Sequence, residues 1–268
     1  MNVLSGVGAP TREDLGGGFV AIRFENGAAG VEWAHHGDVP IATAMTTIGV
    51  DGRDETQVSA FVRRSGCGEP DGLRQLNQVH GATVVPAQSA RAARPAGDGL
   101  WTRAPGDVLV IRSADCAVLW LVDPKQGVLV MAHAGWRGVL AGVVRAAIRA
   151  IENAGGEADR VTVAVGPHLG ACCFEVGPDI AERFARYANA VAPGTRLRAP
   201  RRRDDSSALD LSAAIRDDLH GAGVGQGSIS ICPACTRCRG DLFHSYRRNG
   251  PGGPLMASFG SLKGGPKP

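Results

Sequence analysis

The chain has 268 residues, of which 44% are hydrophobic and 21% charged, and its formal net charge is +3, the balance of a globular protein long enough to bury a real core. No apolar run reaches membrane-spanning length and so small a charge gives no footing for a polyanion, so neither a membrane nor a nucleic acid is an expected partner. The 38 glycines and 16 prolines imply many tight turns between short elements.

The first 18 residues hold neither a basic stretch nor a continuous apolar one, so no signal peptide is expected and a cytoplasmic location follows. Residues 1–40 read as an N-terminal extension, a weak hairpin or a partly ordered segment. A strand is predicted at 41–50 and a helix at 56–64, with Val58, Phe61 and Val62 on its apolar face. Alternation across Leu73, Gln75, Asn77 and Val79 predicts another strand and 82–85 a further one, with His80 and Gly81 at the joint. Residues 87–105 read as a loop around GDGLWT.

The rest of the chain is arranged around 113–138. The apolar, β-branched runs VLVIRS at 108–113 and AVLWLV at 117–122, then a turn at Asp123, Pro124 and Gly127 into VLVMAH, read as a hairpin followed by a helix start. Leu140, Val144, Ala147, Ile148 and Ile151 recur at helical spacing until Gly155 and Gly156, and an anion near 136–138 would face that helix's N-terminus. Further on, 161–167 reads as a strand and 179–191 as a helix with Pro178 in its first turn. Residues 192–207 read as a solvated loop, Ser207 as the cap of a helix within 208–223, 228–231 and 255–262 as strands, and 263–268 as a disordered tail. Many strands with only about four helices argue for mixed sheets in one α/β catalytic domain spanning 41–262.

Seven cysteines, two of them adjacent at Cys172 and Cys173, suit reduced thiols better than a disulfide framework. His80, Cys116 and His133 each fall at a predicted strand boundary and together make a His2Cys set with a vacant fourth position, the arrangement of a catalytic zinc. An alternative pairs Cys116 as nucleophile with His133 as base and Asp115 as orienting group; sequence order leaves both open. Cys232, Cys235 and Cys238 form C-x-x-C-x-x-C, which is similar to part of an iron–sulfur run without its fourth cysteine, or a structural zinc site if Cys67 or His244 completes it, while Cys172 and Cys173 read as packed under a loop. Arg247 and Arg248 beside a glycine turn suit a phosphate or carboxylate. His35, His36, His168 and His220 show no partner pattern.

Six motifs in order, NQVHG at 77–81, DGLWT at 98–102, SADC at 113–116, HAGWRG at 133–138, VGPHLGACCFEVG at 165–177 and FHSYRRNG at 243–250, together resemble the YfiH family, also called multicopper polyphenol oxidase or laccase-like proteins, over roughly 41–260. The resemblance implies a layered mixed-sheet α/β/β/α fold, zinc held by His80, Cys116 and His133, and phosphorolysis of adenosine, inosine or guanosine with hydrolytic deamination of adenosine. Purine nucleoside and phosphate are then the small-molecule partners. Asn77, Arg137 and Arg248 are the expected substrate and phosphate contacts, and Asp115 would orient a ligand or move a proton. The chain departs from the family pattern where relatives carry Thr-Thr-Arg, having Ile48 at the arginine position, and where Gly252 to Leu255 replace a Gly-Arg. Three other functions stand beside the leading one: a copper-dependent phenol oxidase, for which seven scattered histidines without a His-x-His pair are a poor supply of ligands; a cysteine hydrolase or amidase editing cell-wall precursors through Cys116; and a metal-binding protein without catalysis.

Overall fold

Runs such as 117–122 and 128–133 are apolar throughout, with no polar alternation, which is the signature of strands covered on both faces. In the computed structural model both become central strands of one of two stacked sheets. The structure describes residues 11–23, 29–34, 41–191 and 207–263.

The strands are β1 (Thr11–Gly16), β2 (Phe19–Arg23), β3 (Ala29–Trp33), β4 (Ile41–Thr46), β5 (Leu73–Arg74), β6 (Val84–Pro86), β7 (Gly99–Thr102), β8 (Val108–Ser113), β9 (Ala117–Asp123), β10 (Val128–Ala134), β11 (Thr162–Val165), β12 (Glu175–Val176), β13 (Ser207–Ala208), β14 (Ile229–Ile231) and β15 (Met256–Leu262). The helices are α1 (Glu55–Ser65), α2 (Trp136–Leu140), α3 (Val143–Asn153), α4 (Pro178–Val191), α5 (Leu211–Gly221) and α6 (Tyr246–Asn249). One sheet has the order β1-β2-β3-β4-β15-β8-β5, the other β14-β11-β9-β10-β7-β6, and β12 pairs with β13. Both large sheets are mixed: β5 with β8, β6 with β7 and β11 with β14 are parallel, and the other neighbours antiparallel.

Side-chain alternation sorts each central strand between two layers. From β9, Ala117, Leu119 and Leu121 pack toward the helices with Val144, Ile148 and Ile151 of α3, whereas Val118, Trp120 and Val122 lie between the sheets with Leu109 and Ile111 of β8. On the far side Val108, Val110 and Phe259 meet Val58, Phe61 and Val62 of α1. The order of layers is therefore helix, sheet, sheet, helix, as expected. Each fully buried Val, Leu or Ile contributes about 1.5–3 kcal/mol. The Trp120 indole spans the sheets, its Nε1–H donating to the Phe259 carbonyl at 2.9 Å.

Several local expectations are corrected. The N-terminal segment is more than a loose hairpin: β1, β2 and β3 form a meander that continues through β3 onto β4. The run 73–79 is strand only at Leu73 and Arg74, because the Gln78 side chain takes both main-chain bonds of Arg112 and so replaces a ladder. GDGLWT holds β7 rather than loop. The α5 cap is Asp210, which accepts from the Ala213 N–H at 2.9 Å, while Ser207 is drawn into β13 opposite Val176. The helix expected from 136 onward breaks at Gly142 (φ +86°) into α2 and α3. Apart from Ser207, the loop expected at 192–207 lies outside the described residues, as do His35, His36 and the tail after Lys263. Among the described residues no helix is long and apolar enough to cross a membrane.

Candidate metal centre

The three residues singled out by chemistry are brought together where the chain changes sheets. β8 ends at Ser113 in one sheet and β9 starts at Ala117 in the other, so 114–116 is the crossing, and it turns through Asp115 at φ +84°. A non-glycine residue there costs about 1–3 kcal/mol and persists only where its surroundings hold it. Here they do: Asp115 Oδ1 accepts from Thr236 Oγ1 at 2.6 Å, Oδ2 from the Arg247 N–H at 2.6 Å, and its carbonyl from the Leu169 N–H at 2.9 Å. Cys116 follows directly.

His80 is also turned through a positive φ, +60°, and is fixed by a carboxylate that sequence reasoning quoted in a motif but gave no role. Asp98, fully buried, accepts from the N–H groups of His80 at 2.9 Å and Gly81 at 2.6 Å. Oδ1, the oxygen that takes the His80 N–H while Gly81 bonds Oδ2, lies 2.9 Å from Nδ1 of His133, near the end of β10. Asp98 thus sets the loop that carries one histidine and the ring of the other. The only signal for it in the sequence was a carboxylate between two glycines at the mouth of a strand; its partners are all distant along the chain.

Ligand atoms of His80, Cys116 and His133 lie within 4.8 Å of one another, and the two imidazoles meet edge to face with centroids 4.9 Å apart. Burial alone would raise the Cys116 thiol, yet His133 and His80 outweigh it and bring it down to about 6. Burial alone would lower His133; the Cys116 thiolate and Asp98 raise it to about 9. Asp98 itself is raised by burial and lowered by more through His133, Gly81 and His80. With Nδ1 donating to Asp98, His133 has Nε2 left to coordinate, the carboxylate–histidine arrangement of metal sites. Two imidazoles and a thiolate are a borderline-soft donor set that fits zinc. His133 is buried, Cys116 half-buried and His80 exposed, so the set is open on the His80 side.

The remaining expected residues are distributed as follows. Asn77 is exposed, and its main chain bonds Pro95 and Gly97. Arg137 is exposed on α2 with its guanidinium 4.3 Å from the Trp136 ring centroid, and Arg183 of α4 lies 5.6 Å from the same ring. Because α2 has only five residues, any N-terminal field at 136–138 is that of little more than one turn. Arg248 is exposed, but its guanidinium is held against the chain, donating to the carbonyls of Thr236, Arg237 and Phe243. Arg247 donates to the Glu175 carbonyl.

The family model described as multi-copper polyphenol oxidoreductase laccase matches residues 51–261. The chain belongs to this family, the YfiH family. Among curated YfiH-family relatives, the purine nucleoside phosphorylase of Deinococcus radiodurans is 38% identical over 192 residues, 71% of this chain and 70% of that protein. Adenosine deaminase RL5, from an unknown prokaryotic organism, is 35% identical over 153 residues, 57% of each. The crystal structure of YlmD from Geobacillus stearothermophilus superposes with a TM-score of 0.80 at 25% identity, over 90% of this chain and 98% of that one. The layered mixed-sheet fold is the one this YfiH-family structure shares.

Proposed function

We propose that this YfiH-family chain is a zinc-dependent purine nucleoside enzyme, cleaving adenosine, inosine and guanosine with phosphate and deaminating adenosine. The observation that carries the reading is the convergence of His80, Cys116 and His133 on one point, open to solvent at His80; the names of the relatives supply the substrate class. Zinc bound by these three residues would polarise or acidify an oxygen at the open position. The chain's own groups do the rest. Asp98 holds the Nδ1 proton of His133 and keeps Nε2 aimed inward, while Asp115, with both carboxylate oxygens occupied by Thr236 and Arg247, serves to position Cys116 rather than to move a proton. Of the three large apolar side chains exposed among the described residues, Val79 precedes His80 and Tyr246 precedes the residue that holds Asp115; a purine face suits such a rim. Phosphate falls to Arg137, with Arg183 beside it across Trp136, because the Arg248 donors are taken by main-chain carbonyls. A cytoplasmic location belongs to the same reading.

Protein carrying stoichiometric zinc should release free base from inosine and adenosine only when phosphate is present, and should convert adenosine to inosine without it. Nucleosides left intact under both conditions would overturn the proposal.

A second reading has its own observation. Cys116, His133 and Asp98 are joined in the order nucleophile, base and orienting carboxylate, so in metal-free protein they form a thiol triad suited to amide hydrolysis. The orienting group is Asp98 and not the expected Asp115. Trapping an acyl adduct on Cys116 in metal-free protein, with no zinc in protein as isolated, would favour it; copper in quantity with oxygen uptake on a phenol would favour the oxidase instead.

A further inference from the structure

The C-x-x-C-x-x-C run does not act as a unit. Cys232 is buried in the layer between the sheets, Cys67 lies in the core beneath α1, and the His244 ring bonds the Val50 carbonyl. Cys235 and Cys238 instead meet the adjacent pair Cys172 and Cys173. The four sulfurs lie within 4.8 Å of one another, with Cys172 and Cys173 Sγ at 3.6 and 3.5 Å from Cys238 Sγ, and no disulfide joins them.

The fold builds this meeting. β11 and β14 run parallel with Val165 opposite Ile231, so the chain leaves both strands at the same edge, and a bridge between His168 and Cys235 extends the pairing toward the loops. The Gly170 N–H then donates to Cys235 Sγ at 3.3 Å, and the N–H groups of Cys238 and Arg237 turn to the same sulfur. Amides gathered on one sulfur favour a thiolate, and they fix its direction as outer-shell donors do in metal sites. A Cβ at Gly170 would stand 3.2 Å from Cys235 Cβ and 3.4 Å from Cys172 Sγ, so the two loops are packed as closely as a glycine allows.

We propose that Cys172, Cys173, Cys235 and Cys238 bind a single zinc ion as a tetrahedral four-thiolate site, separate from the centre at His80, Cys116 and His133. Tetrahedral zinc with Zn–S of about 2.3 Å separates its sulfurs by about 3.8 Å, and the sulfurs here, two pairs of them at 3.5–3.6 Å and all four within 4.8 Å of one another, lie close to that edge. A polynuclear cluster would spread its thiolates over separate metal atoms. With all four positions filled by protein the ion is structural. It clamps the loop after β11 to the loop after β14, the loop from which Thr236 holds Asp115 and to which Arg248 donates. The second ion therefore braces the sheet crossing that presents Cys116.

The test is metal stoichiometry and ligand-field spectroscopy on the full chain. Wild-type protein should hold two zinc ions, and Cys238→Ser and Cys172→Ser, both at exposed positions, should each hold one. His80→Ala should keep the four-thiolate zinc whatever becomes of the other, which separates this proposal from the catalytic reading. Cobalt(II) in place of zinc should give intense sulfur-to-metal charge transfer in wild type and in His80→Ala, several times what the single Cys116 thiolate supplies, and it should fall toward that weaker band in Cys238→Ser; the wild-type intensity decides the matter even if a variant fails to fold. One zinc per chain that His80→Ala removes and Cys238→Ser keeps, iron in place of zinc, or a disulfide among these cysteines in protein as isolated would each overturn the proposal.

Discussion

A Cβ placed on Gly135 would stand 2.7 Å from Cys116 Sγ and 3.6 Å from His80 Cδ2. Cys116 is anchored at the head of β9 and cannot retreat, so the sulfur would have to swing away from the two imidazoles. The backbone of Gly135 is ordinary and extended, φ −74° and ψ 168°, which alanine adopts without strain. Gly135→Ala should therefore fold, with a melting temperature near that of protein lacking zinc at this centre alone, and yet fail to retain zinc here. Elemental analysis beside thermal unfolding checks it, and full zinc retention would show that the sulfur is not where coordination needs it.

Asp98 supports the same centre from behind. Asp98→Asn keeps an oxygen for only one of the N–H groups of His80 and Gly81, which bond Oδ1 and Oδ2 respectively, and loses the charge that holds His133 in the tautomer with Nε2 free. Metal affinity should fall about 10–100-fold, read by competition with a chromophoric chelator, while the circular dichroism spectrum stays that of wild type. An unchanged affinity would make the 2.9 Å contact between Asp98 and His133 incidental to coordination.

The strands that build the interior were legible because burial on both faces removes polar alternation: 108–113, 117–122, 128–133 and 255–262 were all placed as strands. The zinc trio was legible as three chemically apt residues at strand ends. What the sequence hid was partnership. AVLWLV and VLVMAH do pair as the hairpin that the turn at Asp123 to Gly127 implies, but β8 and β9 belong to different sheets, and no local pattern in VLVIRS or AVLWLV distinguishes a three-residue turn from a three-residue crossing. Cys172 and Cys235 were equally opaque to each other, since their meeting depends on the parallel register of β11 and β14. Ser207 offered a good capping side chain, and Asp210, three residues on, offered a better-placed one.

Asp218 ties three helices. Fully buried on α5, it receives Arg145 Nε of α3 at 2.8 Å through Oδ1 and the Tyr187 hydroxyl of α4 through Oδ2. Burial and the bond to Asp218 both push the Tyr187 hydroxyl well above its ordinary value, so it stays a donor. Asp218→Ala strands that hydroxyl, but Arg145 is 38% exposed and can turn to water, so the expected loss is about 2–3 kcal/mol. Tyr187→Phe should cost less, about 1.5 kcal/mol, because it removes one bond to a buried carboxylate but leaves Arg145 on it. Urea denaturation of both variants checks the order; an Asp218→Ala loss no larger than that of Tyr187→Phe would mean the carboxylate does not hold the helices together.

The pairing of Cys116 and His133 fixes how metal binding depends on pH. In metal-free protein the thiol, ordinarily near 9, titrates at about 6, so its stabilisation is complete above its unfolded value and is lost as pH falls through 6. The imidazole, ordinarily near 6.5, titrates at about 9, so its stabilisation is complete below 6.5 and is lost as pH rises through 9. The two slopes are opposite and overlap between pH 6.5 and 9, so metal-free stability should be nearly flat there with respect to this pair. Zinc binding behaves differently. It accepts the thiolate as it stands but requires the Nε2 proton of His133 to leave, one proton per ion across that window. Apparent affinity at this centre should therefore rise about tenfold per pH unit from 6.5 toward 9 and level off above it, in chelator competition carried out on Cys238→Ser protein so that one class of site is read. An affinity constant across pH 6.5–8.5 would show that His133 is already neutral before the metal arrives.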